Sequence, residues 1–417
     1  MKSANRSKNI CVAVCAGVLL LISKSAVAKP VSDYPLPDSL VGEECGDLVQ
    51  VERIGQYSAL EMRLLVQVAS WKIKQLKEFP RVEQGARLYR LSYWTRNPDG
   101  SRVIASGLLG IPKRTVPTRT IVYHHGTSAR RVSSPSYPGS KLGKFLAMSV
   151  SGAGDLLIAP DYIGLGGSEE HHPYLHARSM ADSSLDLLRA SHTFLTHLRM
   201  SWPESLYLAG FSQGGHSTLV VQRALERRHN PLFPVTAAAA ISGPVDLRYT
   251  SFPNTLSGST PGHTYYLAYL TTAYSRAYRQ PLHSLLREPY ASAFPTVFDG
   301  HHTKEDILAI LPERPIEMFH SHFLTTYKSG GSHWFLDALA ANSLLDFTPS
   351  APVRLFYGEK DLDVHPDEAR VAARVIRSRG ADIQAVSLGE LDHGEAMLTG
   401  IAKALAWFRE PEQSPGK

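Results

Sequence analysis

The stretch Ser205-Leu206-Tyr207-Leu208-Ala209-Gly210-Phe211-Ser212-Gln213-Gly214-Gly215 decides the fold. Its first five residues predict a buried strand, and residues 215–227 have the apolar spacing of a helix. Between them, small residues stand two positions on either side of Ser212, as a sharp turn from strand to helix requires. Glycine and serine are common enough for this pattern to arise by chance. The evidence for a nucleophile is therefore its position between a predicted strand and a predicted helix. Ser212 is therefore the candidate nucleophile.

A serine nucleophile needs a base, and the base needs an acid that orients it. Where such a turn carries the nucleophile, the acid and then the histidine follow it along the chain. Asp361 comes in the loop after the predicted strand 353–357, and His393 comes after the predicted strand 383–388. Asp361 and His393 are therefore the candidate acid and base.

Neighbouring residues compete for these two roles. Asp363 is an alternative acid, because it lies in the same loop as Asp361. Asp392 adjoins the candidate base but points the opposite way along an extended backbone. His365 precedes a predicted helix instead of following the last strand, and His216 lies on the helix after the turn, where packing or hydrogen bonding explains it. Asp363 remains the open alternative.

The same chemistry requires N–H groups that hold the oxyanion of a tetrahedral intermediate. The backbone N–H of Gln213, directly after the candidate nucleophile, is expected to be one donor. The second is expected in the loop after the strand that ends at Tyr123, where the sequence reads His124-His125-Gly126-Thr127. The predicted donor is the N–H of Thr127, with Gly126 as the alternative.

Short apolar strands alternate with helices on both sides of the turn. This alternation predicts an α/β fold, a mostly parallel sheet flanked by helices. The turn Asn97-Pro98-Asp99-Gly100 predicts a hairpin between the first two strands. Strands are predicted at 86–95, 102–111, 120–123, 155–160, 205–209, 235–241, 353–357 and 383–388, and helices at 58–78, 140–151, 181–199, 215–227, 367–379 and 395–408.

The alternation stops near residue 248 and resumes at Val353. Residues 250–345 hold several helix-like pieces but no clear parallel strand, which predicts a helical insertion into one catalytic domain of residues 29–249 and 346–417. The aromatic side chains of the insertion either line an apolar pocket or pack the insertion's own core. The tyrosines concerned are Tyr265, Tyr266, Tyr269, Tyr274, Tyr278 and Tyr290.

Residues 1–28 have the features of a signal peptide for export. A basic start precedes the apolar run Ile10 to Ile22, and Ala26-Val27-Ala28 gives a small-x-small cleavage pattern. The apolar run is shorter than the ~20 residues that span a bilayer. The segment carries four Lys or Arg and no acid, so its removal would lower the net charge from +6 to +2. The exported protein, periplasmic or extracellular, would keep Cys45 as its single cysteine.

Several classes of function are not expected. Of the 417 residues, 43% are hydrophobic and 20% charged, which is typical of a globular protein and not of a disordered chain. After residue 28 there is no run of Lys and Arg that would favour nucleic-acid binding. Histidine pairs raise the question of a metal, but there is no His-Glu-x-x-His motif. We therefore expect no metal and no other cofactor.

Together these motifs resemble the α/β-hydrolase superfamily, and more narrowly its secretory lipase and carboxylesterase branch, which includes fungal lipase A-type enzymes. The resemblance rests on His125-Gly126, residues 160–166, residues 210–215, Gly358-x-x-Asp361 and His393-Gly394. It implies hydrolysis of a small ester or lipid without a cofactor, with transient contact to a lipid interface and with the insertion as a cap over the acyl-binding pocket. The same triad could cleave peptides or transfer acyl groups, and a non-catalytic lipid-binding protein is the alternative from another class.

Overall fold

The computed structural model describes residues 32–71, 73–228 and 230–410, so the predicted signal peptide lies outside the described residues. Within these ranges, ten strands form one sheet. In chain order the strands are β1 (Ser32–Asp33), β2 (Leu48–Tyr57), β3 (Ala86–Arg96), β4 (Arg102–Pro112), β5 (Arg119–His124), β6 (Leu156–Pro160), β7 (Ser205–Phe211), β8 (Val235–Ile241), β9 (Val353–Tyr357) and β10 (Ile383–Ser387).

The sheet has an antiparallel end and a parallel end. Its strand order is β1-β2-β3-β4-β6-β5-β7-β8-β9-β10. The pairings from β1 to β6 are antiparallel, and the five from β6 to β10 are parallel. The carboxyl ends of the parallel strands therefore meet at one edge, where open α/β sheets bind their ligands. The predicted α/β fold with a mostly parallel sheet is confirmed.

Helices cover both faces of the sheet. In chain order the helices are α1 (Ala59–Ser70), α2 (Lys141–Ser149), α3 (Ala177–His197), α4 (Gln213–Arg227), α5 (Phe252–Ser257), α6 (Pro261–Ala277), α7 (Tyr290–Val297), α8 (Lys304–Leu308), α9 (Ser321–Lys328), α10 (Trp334–Asn342), α11 (Asp367–Arg377) and α12 (His393–Trp407). Alternate residues of β7 point to opposite faces of the sheet. Leu206 lies in the core under α3 and α4, and Tyr207 lies in the core under α1, α2 and α12.

Strand β2 has no counterpart among the predicted elements. Its register against β3 shifts between Leu48 and Gln50 and again between Arg53 and Gly55. Each irregularity breaks the alternation of inward and outward side chains, which is the pattern that identifies a strand in a sequence. The missed strand is therefore explained by its bulges.

The helix predicted at 58–78 was wrong in its extent. Helix α1 ends at Ser70, and a separate 3-10 turn follows at Lys74–Glu78. The apolar spacing was also a poor guide to burial, because Leu64 is 52% exposed although Leu65 next to it is 9% exposed. Only one face of α1 reaches the core.

The chain between β8 and β9 is helical throughout its regular elements, from α5 to α10 and a π-turn at Leu247–Ser251. These helices enclose an aromatic core that includes Phe252, Phe294 and Phe335. Tyr265, Tyr269 and Tyr274 from the predicted aromatic set are buried in that core, whereas Tyr266 is only partly buried. Three of the six tyrosines are thus buried in this core, and the other three pack against it while partly exposed.

The described part of the chain contains a free cysteine and no helix that could span a membrane. Cys45 is a free, partly buried thiol, and burial raises its pKa. No helix among the described residues is long and apolar enough to cross a membrane.

The contrast between Leu64 and Leu65 can be tested on α1. We expect Leu65→Ala to lower the free energy of unfolding by about 2 kcal/mol or more, since it leaves a cavity in the core. Leu64→Ala, the matched change one residue away, should alter it by less than about 0.5 kcal/mol. Urea unfolding of both variants measures the difference; equal losses would contradict the burial of α1 described here.

Candidate active site

Ser212 lies in the turn between the end of β7 and the start of α4. Its φ of +57° and ψ of −120° form a backbone conformation that side chains other than glycine rarely adopt. The flanking glycines are required by space. A Cβ on Gly210 would lie 2.1 Å from the carbonyl oxygen of Gly214, and one on Gly214 would lie 1.9 Å from that of His124. The turn therefore brings α4 directly against the end of β5.

Three predicted residues form one hydrogen-bonded line. The His393 Nε2 lies 3.0 Å from the Ser212 hydroxyl oxygen, and the His393 Nδ1 lies 2.8 Å from Asp361 Oδ2. The other carboxylate oxygen of Asp361 accepts the backbone N–H groups of Asp363 at 3.0 Å and Val364 at 2.9 Å. With Nδ1–H donating to Asp361, the His393 Nε2 is free to accept the proton of Ser212.

The geometry separates Asp361 from the competing acids. Asp363 turns away from His393, and its Oδ2 accepts the Tyr266 hydroxyl at 3.1 Å. Asp392 is the N-cap of α12, where its side chain accepts a backbone N–H of the first turn. Among these three acids, Asp361 is therefore the one whose carboxylate contacts the imidazole.

The remaining histidines considered from the sequence lie elsewhere. His216 is buried on α4, with its Nδ1 3.1 Å from the carbonyl oxygen of Pro244. His365 is exposed beside Asp367. His393 itself is the first residue of α12, because that helix begins two residues earlier than predicted.

The charge state of His393 is set by two opposing effects. Burial by itself lowers the pKa of His393, but the carboxylates of Asp361 and, to a smaller extent, Asp363 outweigh it, so the pKa lies above the ordinary 6.5. Nearby histidines behave differently, since burial lowers the pKa of His124 and His172 to about 3 and that of His216 to about 4. Of these four imidazoles, His393 is thus the one suited to exchange a proton near neutral pH.

The two predicted oxyanion donors belong to different elements, helix α4 and the loop after β5. Gln213 is the first residue of α4, and N–H groups in the first turn of a helix have no partner within the helix. The Gln213 side chain is buried and lies 2.7 Å from the His172 Nε2, which keeps it away from the backbone N–H. Thr127, in the loop after β5, is half-buried, and its hydroxyl lies 2.9 Å from that of Tyr174.

The loop after β6, residues 161–175, contacts the strand and loop residues around the Ser212 turn. The sequence predicted no role for its residues. The buried Asp161 carboxylate accepts the Ser106 hydroxyl at 2.6 Å and both the N–H and the hydroxyl of Ser136. Tyr162, at φ +71°, donates its hydroxyl to the carbonyl oxygen of His125 at 3.0 Å. The sequence signal for this loop was the run at 160–166, which indicated a family but no contacts.

A cavity of about 260 Å³ opens beside Ser212. Its wall combines apolar side chains with polar groups. One of these is the buried Glu368, whose carboxylate accepts the N–H groups of Val245 and Asp246. Burial raises the pKa of Glu368 to about 7. The lining comes from the catalytic sheet and from the insertion alike, and includes Leu175, Leu247, Phe252, Leu270, Val364, Ser251, Asn254, Thr260, Tyr266 and Asp363.

The histidine pairs of the sequence are possible metal ligands that lie in the part of the chain that the structure describes. No group of three or more His, Cys, Asp or Glu side chains there could hold a metal ion. The histidine pairs of the sequence thus do not assemble into a ligand set.

Solved structures resemble this chain over most of its length. A provisionally assigned hydrolase from Legionella pneumophila is 30% identical and superposes with a TM-score of 0.81, covering 89% of this chain and 99% of its own. The rice cell wall degrading esterase LipA from Xanthomonas oryzae is 25% identical with a TM-score of 0.75, covering 88% of this chain and 98% of its own.

A more distant likeness extends the fold to a eukaryotic enzyme. Lipase A from Candida antarctica, in its closed state, is 14% identical with a TM-score of 0.62, covering 88% of this chain and 82% of its own. No family model and no curated protein sequence matches the chain. Given the sheet, the turn at Ser212 and these similarities, the chain belongs to the α/β-hydrolase family and resembles its lipases and esterases.

Proposed function

We propose that this protein is an exported serine esterase or lipase that cleaves carboxylic esters through an acyl-enzyme on Ser212. The observation that carries the proposal is the unbroken line from the Ser212 hydroxyl through His393 to Asp361, with distances of 3.0 and 2.8 Å. A nucleophile, a base within hydrogen-bond reach and an acid that orients the base are the three parts that this chemistry needs.

The proposed reaction has two halves. The Ser212 hydroxyl attacks the ester carbonyl while the His393 Nε2 takes its proton, and the same imidazole then protonates the departing alcohol. Asp361 holds the imidazole in the tautomer with Nδ1–H and stabilises its positive charge. Water, activated by His393, then attacks the acyl-enzyme and releases the acid. The N–H groups of Gln213 and Thr127 stabilise the oxyanion in both halves.

The insertion, residues 250–345, is proposed to act as a cap over the acyl-binding site. This is supported by the cavity beside Ser212, to which α5 contributes Phe252 and α6 contributes Leu270, opposite Val364 of the acid loop. Apolar walls of this kind suit the hydrocarbon part of an ester. No cofactor is needed for the proposed steps.

The alternatives differ from this proposal in measurable ways. An acyltransferase would pass the acyl group from Ser212 to an added alcohol, and a peptidase would cleave amides at comparable rates. A non-catalytic lipid-binding protein has no use for the hydrogen bond between Ser212 and His393. That contact, together with the strained backbone at Ser212, favours catalysis over binding alone.

Replacing the nucleophile tests the proposal directly. Ser212→Ala should lower kcat for p-nitrophenyl butyrate by about five to six orders of magnitude and abolish fluorophosphonate labelling, because no hydroxyl remains to form the acyl-enzyme. Ser191→Ala, which removes a buried hydroxyl on α3, is the matched control and should keep full activity. Residual labelling or undiminished hydrolysis by Ser212→Ala would refute the mechanism.

Replacing each candidate acid with asparagine tests which of the two orients His393. Asp361→Asn should lower kcat about 10,000-fold, since the imidazole loses the acceptor that fixes its tautomer. Asp363→Asn should keep kcat within about tenfold, because its carboxylate reaches His393 only through space. Comparable losses in both variants would overturn the assignment of Asp361.

The pH profile provides a second readout of the same pair. His393 must be neutral to accept a proton, so kcat/KM should fall as pH drops through its pKa, which lies above 6.5. Asp363→Asn removes a nearby negative charge that favours the protonated imidazole, so its acidic limb should shift to lower pH. A shift to higher pH would contradict the electrostatic role described for Asp363.

The cavity predicts how activity depends on acyl length. Each buried methylene contributes ~0.8 kcal/mol, about a fourfold gain in kcat/KM. The cavity has a limited volume of about 260 Å³, so it can hold only a limited number of methylenes. Rates on p-nitrophenyl esters should therefore rise from acetate into the medium-chain range and then level off. A continuous rise to palmitate would show that the acyl chain binds elsewhere.

A further inference from the structure

Two tyrosine rings stack beside the loop that carries Thr127. Tyr174 comes from the loop after β6, and Tyr269 lies on α6 of the insertion. Their ring centroids are 4.6 Å apart and their planes differ by 2°. Both rings are almost completely buried, at 4% and 3% exposure. The stack therefore joins the catalytic sheet to the insertion at the wall of the active site.

The two hydroxyl groups reach consecutive residues of the same loop. The Tyr174 hydroxyl lies 2.9 Å from the Thr127 hydroxyl, and the Tyr269 hydroxyl donates to the carbonyl oxygen of Ser128 at 3.2 Å. Tyr174 thus contacts the side chain of Thr127, and Tyr269 holds the backbone carbonyl of the next residue, Ser128. Residues 125–128 lie in neither a helix nor a strand, so no regular backbone hydrogen bonds fix the direction of the Thr127 N–H.

The insertion supports this pair from behind. Phe298, just after α7, stacks on the other side of Tyr269, with centroids 4.4 Å apart and planes 11° apart. Nearby, the N–H of Arg131 donates to the carbonyl oxygen of Gly300 at 3.0 Å, which ties the same loop to the insertion through the backbone. A movement of α6 or of the segment after α7 would therefore change the position of the loop that carries Thr127.

We propose that Tyr174 and Tyr269 are positioning residues that aim the Thr127 N–H at the oxyanion. The inference rests on the proposed esterase function and on Thr127 as the second donor. Its physical basis is that a donor stabilises the transition state only if it is held in place before the charge develops. The insertion then has a second task besides covering the pocket, because it supplies one half of the support for an oxyanion donor.

Removing each hydroxyl alone tests the proposal. Tyr174→Phe and Tyr269→Phe keep the stacked rings, and each should lower kcat about tenfold with KM within about twofold, since loss of a whole oxyanion donor costs about 100- to 1000-fold. The double variant should lose less than the product of the two single losses, because both hydroxyls act on one loop.

A transition-state analogue separates positioning from general destabilisation. An alkyl trifluoromethyl ketone forms a tetrahedral adduct with the serine and places its oxygen where the oxyanion would be. Its inhibition constant should rise by the same factor as kcat/KM falls in each variant. The corresponding secondary alcohol fills the pocket without an oxyanion, and its inhibition constant should stay within about twofold of that of the wild type.

Tyr93→Phe is the matched control. It removes a buried tyrosine hydroxyl that donates to the carbonyl oxygen of Ser183 at 2.9 Å, between β3 and α3. Its melting temperature should fall about as much as those of the other two variants while kcat stays unchanged. If either active-site variant fails to fold, Thr127→Val, which removes the hydroxyl that Tyr174 contacts, should show the same loss of kcat, and Thr127→Ser should restore it.

The outcomes distinguish this inference from the proposed function. If Ser212→Ala is inactive while Tyr174→Phe and Tyr269→Phe retain full kcat and full affinity for the trifluoromethyl ketone, the positioning role is wrong and the esterase proposal stands. If Ser212→Ala remains active, the proposed function itself fails. A loss confined to KM would assign the tyrosines to substrate binding and would also overturn the inference.

Discussion

The close approach of α4 to the end of β5 is the constraint on which the active site depends. A Cβ on Gly214 would lie 1.9 Å from the carbonyl oxygen of His124, so no residue larger than glycine fits there. Because β5 and β7 pair in register, with His124 beside Gly210, this contact places the loop after β5 directly next to Ser212. This one close contact therefore determines how Ser212, Gln213 and the loop that carries Thr127 lie relative to one another.

The charge of Asp361 sets the protonation behaviour of His393. Asp361 is 1% exposed, yet its carboxylate accepts two backbone N–H groups and contacts His393. The negative charge of the Asp361 carboxylate raises the pKa of His393 against the effect of burial. Among the described residues no carboxylate is hydrogen-bonded to His124, His172 or His216, and burial lowers the pKa of each. One charged neighbour thus distinguishes the candidate base, His393, from the three other buried imidazoles.

The insertion contacts the loops around Ser212 through several polar side chains and also lines the cavity beside that residue. Helix α6 bonds the acid loop through Tyr266 and Asp363 and bonds the loop after β5 through Tyr269 and Ser128. Glu368 on α11 ties down the beginning of the insertion by accepting the N–H of Asp246 and the hydroxyl of Ser251. The loops on either side of Ser212 are therefore held partly by the insertion, which links its position to their geometry.

The sequence was a good guide where periodicity or a steric rule is local. The strands β8 and β9 were predicted to the residue, and Ser212, Asp361 and His393 were singled out because each follows a strand. Local patterns failed for β2, where bulges break the alternation, and for α1, where apolar spacing does not say which side meets the core. They also left Asp361 and Asp363 unresolved, since two acids in one loop have the same sequence signal.

By itself, the sequence determined the fold class and the elements that carry the candidate triad, because the glycines around Ser212 and the spacing of apolar residues obey short-range rules. Only the tertiary structure decided which acid contacts His393 and which side chains support Thr127. Tyr174 and Tyr269 lie about a hundred positions apart in the chain, and their stacking depends on how the insertion packs against the sheet. Contacts of that range follow from the packing of the whole molecule, and no local pattern encodes them.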